Sequence, residues 1–266
     1  MALKNRRFLA LSDEILMSVE KPARYTGNEI NMVKKDPASV DVRFCMCFPD
    51  VYEIGMSHLG IQILYDMFNQ WEDTYCERVY SPWPDLDKIM REKHIPLFAL
   101  ESQQPIKEFD FLGITLQYEM CYTNILQVLD LSGIPLYTKD RTMEDPFVVC
   151  GGPCTYNPEP IADFFDLVYI GEGETSYREL LDKYKEWKKS GKSRPKFSGR
   201  FFRPHGNEKR IETEFLSDII RDHGQKASVG NSDRNPANEN PDEIFRGRKN
   251  GGRDQSIHEK NVLCIR

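Results

Sequence analysis

Between residues 40 and 192 the chain alternates two hydrophobic rhythms. Short, nearly continuous apolar runs occur at Val40–Phe48 (VDVRFCMCF), Cys76–Pro82 (CERVYSP), Phe109–Gln117 (FDFLGITLQ), Pro146–Gly152 (PFVVCGG) and Asp166–Gly171 (DLVYIG). Runs of this length between turn-forming residues read as strands buried on both faces. Between them the apolar positions recur every three or four residues, the helical period. The stretch Ser57–Trp71 places Leu59, Ile63, Leu64, Met67, Phe68 and Trp71 on that period, with Ser57 as the expected N-cap. Further helices are expected from Pro84 (PDLDKIMREK), from Tyr122 to a stop at Gly133, around Glu159–Phe165, and over Glu174–Gly191, which gathers lysines in its last turns where the helix dipole favours them. Pro96–Ser102 (PLFALES) reads as a short extended run. Five strands alternating with helices predict a doubly wound α/β domain on a parallel five-stranded sheet. Ligands of such sheets lie beyond the carboxyl ends of the strands, where the strand order reverses.

The pattern weakens on either side of this block. Residues 1–39 form an N-terminal extension of mixed character, with a short helix expected over Phe8–Val19 and a turn-rich segment at Lys21–Glu29. Residues 193–266 form a tail of low hydrophobicity. From Ser198 onward roughly 17 of the 69 residues are apolar and they are scattered singly, too few to build a core, so a poorly ordered or aberrant tail is expected. Glu212–Arg221 is the exception, with one apolar face suited to a helix.

Composition adds exclusions. A chain of 266 residues, 39% of them hydrophobic, accommodates one large domain or two small ones. No apolar run approaches the roughly 18 to 20 residues that a spanning helix needs. The N-terminus carries acids through its apolar part, unlike a signal peptide, so a cytoplasmic protein without a membrane partner is expected. Seven cysteines scattered through apolar runs suit reduced thiols better than a disulfide framework. A net charge of −6 speaks against a surface given over to nucleic acid.

The candidate chemistry lies in four loops that follow strands on one edge: Pro49–His58, Leu116–Thr123, Gly151–Asn157 and Gly171–Thr175. Gly151, Gly152 and Pro153 suit a turn whose bare backbone lets a ligand approach closely, or simply a tight turn. Gly171, Glu172, Gly173 and Glu174 open a helix whose anion-attracting end is already occupied by carboxylates, so the segment caps the helix or accepts hydrogen bonds from a neutral ligand. His58 is either a metal ligand above the sheet or a surface or capping residue. Tyr118, Glu119 and Tyr122 offer one acid and aromatic walls, or core packing. Cys150 and Cys154 are spaced C-x-x-x-C, the first half of an iron–sulfur signature, but Asn157 stands where its third cysteine belongs. Cys45 and Cys47 share one strand face without further partners nearby in sequence.

Seven phrases in order, SVEKPARYTGNEINMVKKD, FPDVYEIGMSHLGIQILY, ERVYSPWPD, IPLFALES, FDFLGITLQYEMCYTNILQVLDLSGIP, GGPCTYNPEPIADFFD and YIGEGE, resemble the N-terminal half of cobalamin-binding-domain radical S-adenosylmethionine (SAM) proteins over about residues 17–190. The resemblance implies a flavodoxin-like (Rossmann-like) domain that presents cobalamin, or a relic of that site, to a radical SAM barrel normally in the same chain. The barrel would hold the iron–sulfur cluster and S-adenosylmethionine. Its cluster motif is absent here, so the chain is expected to be a fragment that is catalytically incomplete alone. The corrin would lie over the strand ends and its nucleotide tail would pass Gly151 and Gly152, with Gly171–Glu174 bordering the other side. The expected cofactor contacts are Ser57, His58, Thr115, Gln117, Tyr118, Gly151, Gly152, Pro153, Gly171, Glu172, Gly173 and Glu174. His58 departs from the D-x-H-x-x-G pattern of a cobalt ligand, because Met56 precedes it by two and Gly60 follows by two. The alternative is a non-catalytic interaction module that no longer binds cobalamin. A phosphorylatable receiver is disfavoured because Gln117, Tyr118 and Glu119 stand where its aspartate would end the third strand.

Overall fold

The computed structural model describes residues 9–171, 173–175, 177–191, 194 and 201–202. The chain divides into two units, Met1–His223 and Gly224–Arg266, and all the described residues belong to the first. The expected helix at residues 212–221, and the tail from residue 203 onward, lie outside the described residues.

The five expected strands are present as β1 (Val42–Phe48), β2 (Thr74–Tyr80), β3 (Phe111–Thr115), β4 (Phe147–Gly151) and β5 (Leu167–Tyr169). A two-residue strand, β6 (Phe201–Phe202), extends the sheet inside the segment read as tail. The order is β2-β1-β3-β4-β5-β6 and every pairing is parallel. This is a doubly wound, flavodoxin-like arrangement, and its switch point lies between β1 and β3.

Side chains in a strand alternate between faces, so a central strand feeds two cores at once. On one face Phe44, Met46 and Phe48 of β1 join Phe111, Phe147 and Val149. There they pack under the helices Leu59–Gln70 and Tyr177–Ser190. Phe44, Phe68, Phe111, Tyr177 and Tyr184 form a ladder of ring contacts, with centroids 4.6–6.0 Å apart. Gly113 makes room for it, since a Cβ there would lie 2.4 Å from the Phe44 ring. On the other face Cys45 and Cys47, which share a side as their spacing implies, meet Leu112, Ile114, Val148 and Cys150 under the helices Pro84–Lys93 and Tyr122–Leu131.

Local signals explain most helix boundaries. Pro84 opens its helix at the first turn, and Gly133 ends another at φ +64°. The helix Leu59–Gln70 departs from expectation. Its N-cap is His58, whose Nδ1 accepts from the Ile61 N–H at 3.3 Å, while Ser57 Oγ donates to the Ile54 carbonyl at 2.9 Å. Ser57 instead ends an extra short helix, Tyr52–Met56, inside the expected Pro49–His58 loop. The first helix is confined to Asp13–Ser18 because Ser12 caps it, and the turn-rich segment contains a helical turn at Ala23–Thr26.

The extension is part of the core. Leu11, Ile15, Leu16, Val19 and Tyr25 are buried with the second face. Beyond them the chain runs along β2. Asn31 Oδ1 accepts from Arg78 at 3.3 Å, the Val33 N–H donates to Tyr65 at 2.8 Å, and Lys35 donates to the Thr74 carbonyl at 2.7 Å.

The helix Tyr177–Ser190 is fastened by charge. Both Nη atoms of Arg178 donate to Asp73 at 2.9 Å, and Lys185 joins them; Tyr184 and Lys188 donate to Asp110 at 2.6 Å. Burial pushes the Asp73 carboxyl up, but the hydrogen bonds from Arg178 and Lys185 outweigh it and hold the group well below the ordinary carboxylate range. A carboxylate whose pKa is depressed by folding contributes stability above its unfolded value, near pH 4, and loses it as pH falls through the folded value. Asp73→Asn is therefore expected to cost about 1–2 kcal/mol at pH 7. It should also flatten the decline in melting temperature between about pH 4 and pH 2, read by circular dichroism.

Candidate functional site at the carboxyl rim of the sheet

Parallel pairing puts the loops after β1, β3, β4 and β5 on one rim. Its centre is the switch point, where the chains leaving β1 and β3 depart toward opposite faces. That crevice is laced together. The Tyr118 hydroxyl donates to the Asp50 carboxylate, and Asn124 donates to the Pro49 carbonyl at 2.9 Å. Asp50 also accepts from the Val51 N–H at 2.7 Å through its side chain and from the Ser81 N–H at 3.0 Å through its carbonyl. Burial and the facing Asp50 push the Tyr118 phenol up to about 12, so it stays a neutral donor.

The glycine turn after β4 clasps the loop after β3. The Leu116 N–H donates to the Gly151 carbonyl at 2.7 Å, and the Cys154 N–H donates to the Leu116 carbonyl at 3.1 Å. Gly152 sits at φ +105°, where a Cβ would lie 2.8 Å from the Leu116 carbonyl oxygen. Its bare backbone accommodates the neighbouring main chain. Thr115 and Gln117 bond to each other at 2.7 Å beside it. Gly151 is more open, with the Tyr177 hydroxyl the nearest atom to a Cβ at 3.8 Å. Pro153 starts a 3-10 turn, Pro153–Tyr156, that carries Tyr156 into solvent.

The loop after β5 holds Gly171 at φ +140° and a 3-10 turn, Gly173–Thr175, in which Glu174 is exposed. A Cβ on Gly173 would lie 2.9 Å from the Tyr177 ring and 3.2 Å from Leu64. Glu172 lies outside the described residues.

His58 is half-buried with its ring 5.1 Å from that of Phe48. Because Nδ1 accepts from a backbone N–H, a neutral imidazole here carries its proton on Nε2 and offers no second lone pair to a metal. The six described cysteines are free thiols, and among the described residues no three His, Cys, Asp or Glu side chains are grouped to hold a metal ion. Burial drives Cys45, Cys76 and Cys150 well above the ordinary thiol range and raises Cys154. Cys150 is thus a protonated core residue inside β4, and Cys154 lies on the rim.

The alternating pattern does not reveal a group of apolar side chains left in solvent on this rim. Ile54 and Leu59 are 45% and 70% exposed after β1, Met120 is 88% exposed after β3, and Tyr156 is 79% exposed after β4. Single exposed hydrophobes are ordinary, but apolar side chains on the loops of three adjacent strands suggest a contact surface. The legible signal was their position, immediately after strand ends.

Residues 60–206 match the family described as radical SAM proteins, N-terminal. The chain belongs to that family. It is also 30% identical over 132 residues to an uncharacterized protein of Methanocaldococcus jannaschii, an alignment covering 48% of this chain and 23% of the relative. The alignment therefore spans about a quarter of that relative's length. No solved structure matches the chain. Among the described residues of this radical SAM N-terminal domain, no helix is long and apolar enough to cross a membrane.

The clasp around Gly152 sets an expectation. Gly152→Ala combines a left-handed backbone with a clash against a carbonyl, and should destabilise the fold by about 1–3 kcal/mol in urea unfolding. Gly151→Ala, where a Cβ would make only ordinary contacts at 3.8 Å or more, should cost less than half as much.

Proposed function

We propose that this radical SAM N-terminal domain is a platform whose carboxyl rim seats against the catalytic radical SAM domain, with Ile54, Leu59, Met120 and Tyr156 as the contact. The exposed apolar group on three adjacent strand ends carries this reading. The surrounding geometry supports it, because the switch-point crevice is tied by Tyr118–Asp50 and the Gly152 slot is filled by Leu116. A rim stiffened in this way holds a docking surface in fixed shape, which lowers the ordering cost of association. The chemistry would belong to the partner: a cluster that reductively cleaves S-adenosylmethionine to a substrate-abstracting radical.

The unstrained fit of a Cβ at Gly151, with Tyr156 exposed in the turn that follows, favours a second reading, in which cobalamin lies between the two domains. His58 is engaged as a cap, so the corrin would be held without a histidine on cobalt.

Mixing the chain with a separately produced radical SAM catalytic domain of the family should give a complex by calorimetry. Met120→Asp with Tyr156→Asp should weaken it by roughly 30-fold or more without shifting the melting temperature, since each buried anchor contributes about 1–2 kcal/mol. No binding by the unaltered chain, or binding indifferent to the double variant, refutes the platform. Incubation with hydroxocobalamin followed by desalting decides the second reading: retained pigment that Tyr156→Ala reduces supports it, and a colourless protein excludes it.

A further inference from the structure

The loop after β2 also leaves from the carboxyl rim, because β2 pairs parallel with β1. Just beyond the strand stands Trp83, 40% exposed. Four neighbouring strands, in the order β2-β1-β3-β4, therefore end in a large apolar side chain that reaches water. A single tryptophan exposed to this degree is ordinary on a protein surface. What distinguishes Trp83 is how firmly it is held. Pro82 and Pro84 flank it, and a residue before a proline is confined to extended backbone, where Trp83 lies at φ −65° and ψ 155°. Its N–H donates to the Tyr25 hydroxyl at 3.1 Å, and the Arg24 guanidinium lies over its ring, 5.1 Å from the centre. Arg24 and Tyr25 are themselves buried. Arg24 is fixed in turn by donating to the Tyr25 hydroxyl and, at 3.0 and 2.9 Å, to Glu53.

These contacts lead back to the rim. Glu53 precedes Ile54 in the helix Tyr52–Met56, and Ile54 is one of the apolar contacts assigned above. Trp83, Arg24, Glu53 and Ile54 thus form one continuous series that joins the exits of β2 and β1 through the N-terminal arm. Binding an exposed side chain ordinarily costs the freedom of that side chain. For Trp83 the fold has already removed much of it. A half-exposed tryptophan immobilised beside an apolar surface has the character of the residues that carry most of the energy of an interface.

We propose that Trp83 anchors the β2 end of the surface that seats the radical SAM catalytic domain, and that Arg24 is the positioning residue that holds it there. The inference rests on the platform reading and extends it: the docking surface runs from Tyr156 past Met120, Leu59 and Ile54 to Trp83, and the N-terminal arm takes part in it through Arg24 without touching the partner.

The test uses the full chain and the separately produced catalytic domain. Calorimetry should show Trp83→Ala weakening the complex by roughly 10-fold or more, and Trp83→Phe, which keeps an aromatic ring, by less than about 3-fold. Arg24→Met should weaken it in the unaltered chain and add nothing in the Trp83→Ala background, because a positioning residue acts only through the side chain it positions. A measurement without substitution accompanies these: acrylamide should quench a fraction of the tryptophan fluorescence of the free chain that is absent from Trp83→Phe, and the complex should shield that fraction. The failures are distinguishable. If the unaltered chain does not bind, the platform falls and the anchor with it. If it binds, and either Trp83→Ala binds equally well or the quenching is unchanged in the complex, the anchor falls while the platform stands. An Arg24→Met effect that persists in full without Trp83 overturns the positioning role.

Discussion

Parallel pairing is the constraint from which the rest of this structure follows. Two adjacent parallel strands cannot be joined by a tight turn, so each connection crosses a face of the sheet and covers it. Once both faces are covered, a strand such as β1 has no solvent side and alternates only between two apolar environments. Phe44, Met46 and Phe48 go one way, and Cys45 and Cys47 the other. The same rule sends every strand toward one rim, which brings loops that are far apart in sequence within reach of each other.

A parallel sheet still has edges, and β2 is one of them. Its exposed main chain is met by side chains and by a neighbouring segment. Asn69 bonds to both the N–H and the carbonyl of Cys76 at 3.0 Å, Glu101 accepts from the Arg78 N–H at 2.6 Å, and the Leu100 N–H donates to the Arg78 carbonyl at 2.9 Å. This closes the edge to another chain. It also requires charge inside the protein, since Arg78 and Glu101 are buried and paired at 2.7 Å. Removing one partner of such a pair strands the other, so the edge, the arm and the 97–104 segment are coupled. The arm's phrase PARYTGNEIN has its place here, in a clasp around the end of β2.

At the rim, the glycines serve the fold. Gly152 admits the Leu116 carbonyl and Gly173 admits Tyr177 and Leu64, so their missing Cβ atoms are taken up by the protein itself. The side chains that stay exposed there, such as Met120 and Tyr156, are apolar. Association there would draw on area removed from water, whereas a crevice site would draw on hydrogen bonds that the loops already make to each other.

Much of this was legible in the residues alone. Period and run length located all five main strands, the helices from Pro84 and Tyr122, and the stop at Gly133, because those signals are local: a proline lacks an N–H, a glycine tolerates positive φ, and burial on two faces favours apolar residues. The series of phrases also pointed to the radical SAM family. Other features required coordinates. Ser57 and His58 are both competent N-caps, and the choice went to His58 once the helix Tyr52–Met56 had used Ser57 at its own end. A pair of glycines looks the same in sequence whether a ligand or a carbonyl fills the gap, and the position of Leu116 depends on the register between β3 and β4. Sequence determines which residues are apolar, flexible or charged; long-range packing decides which of them meet, and so which are left facing water.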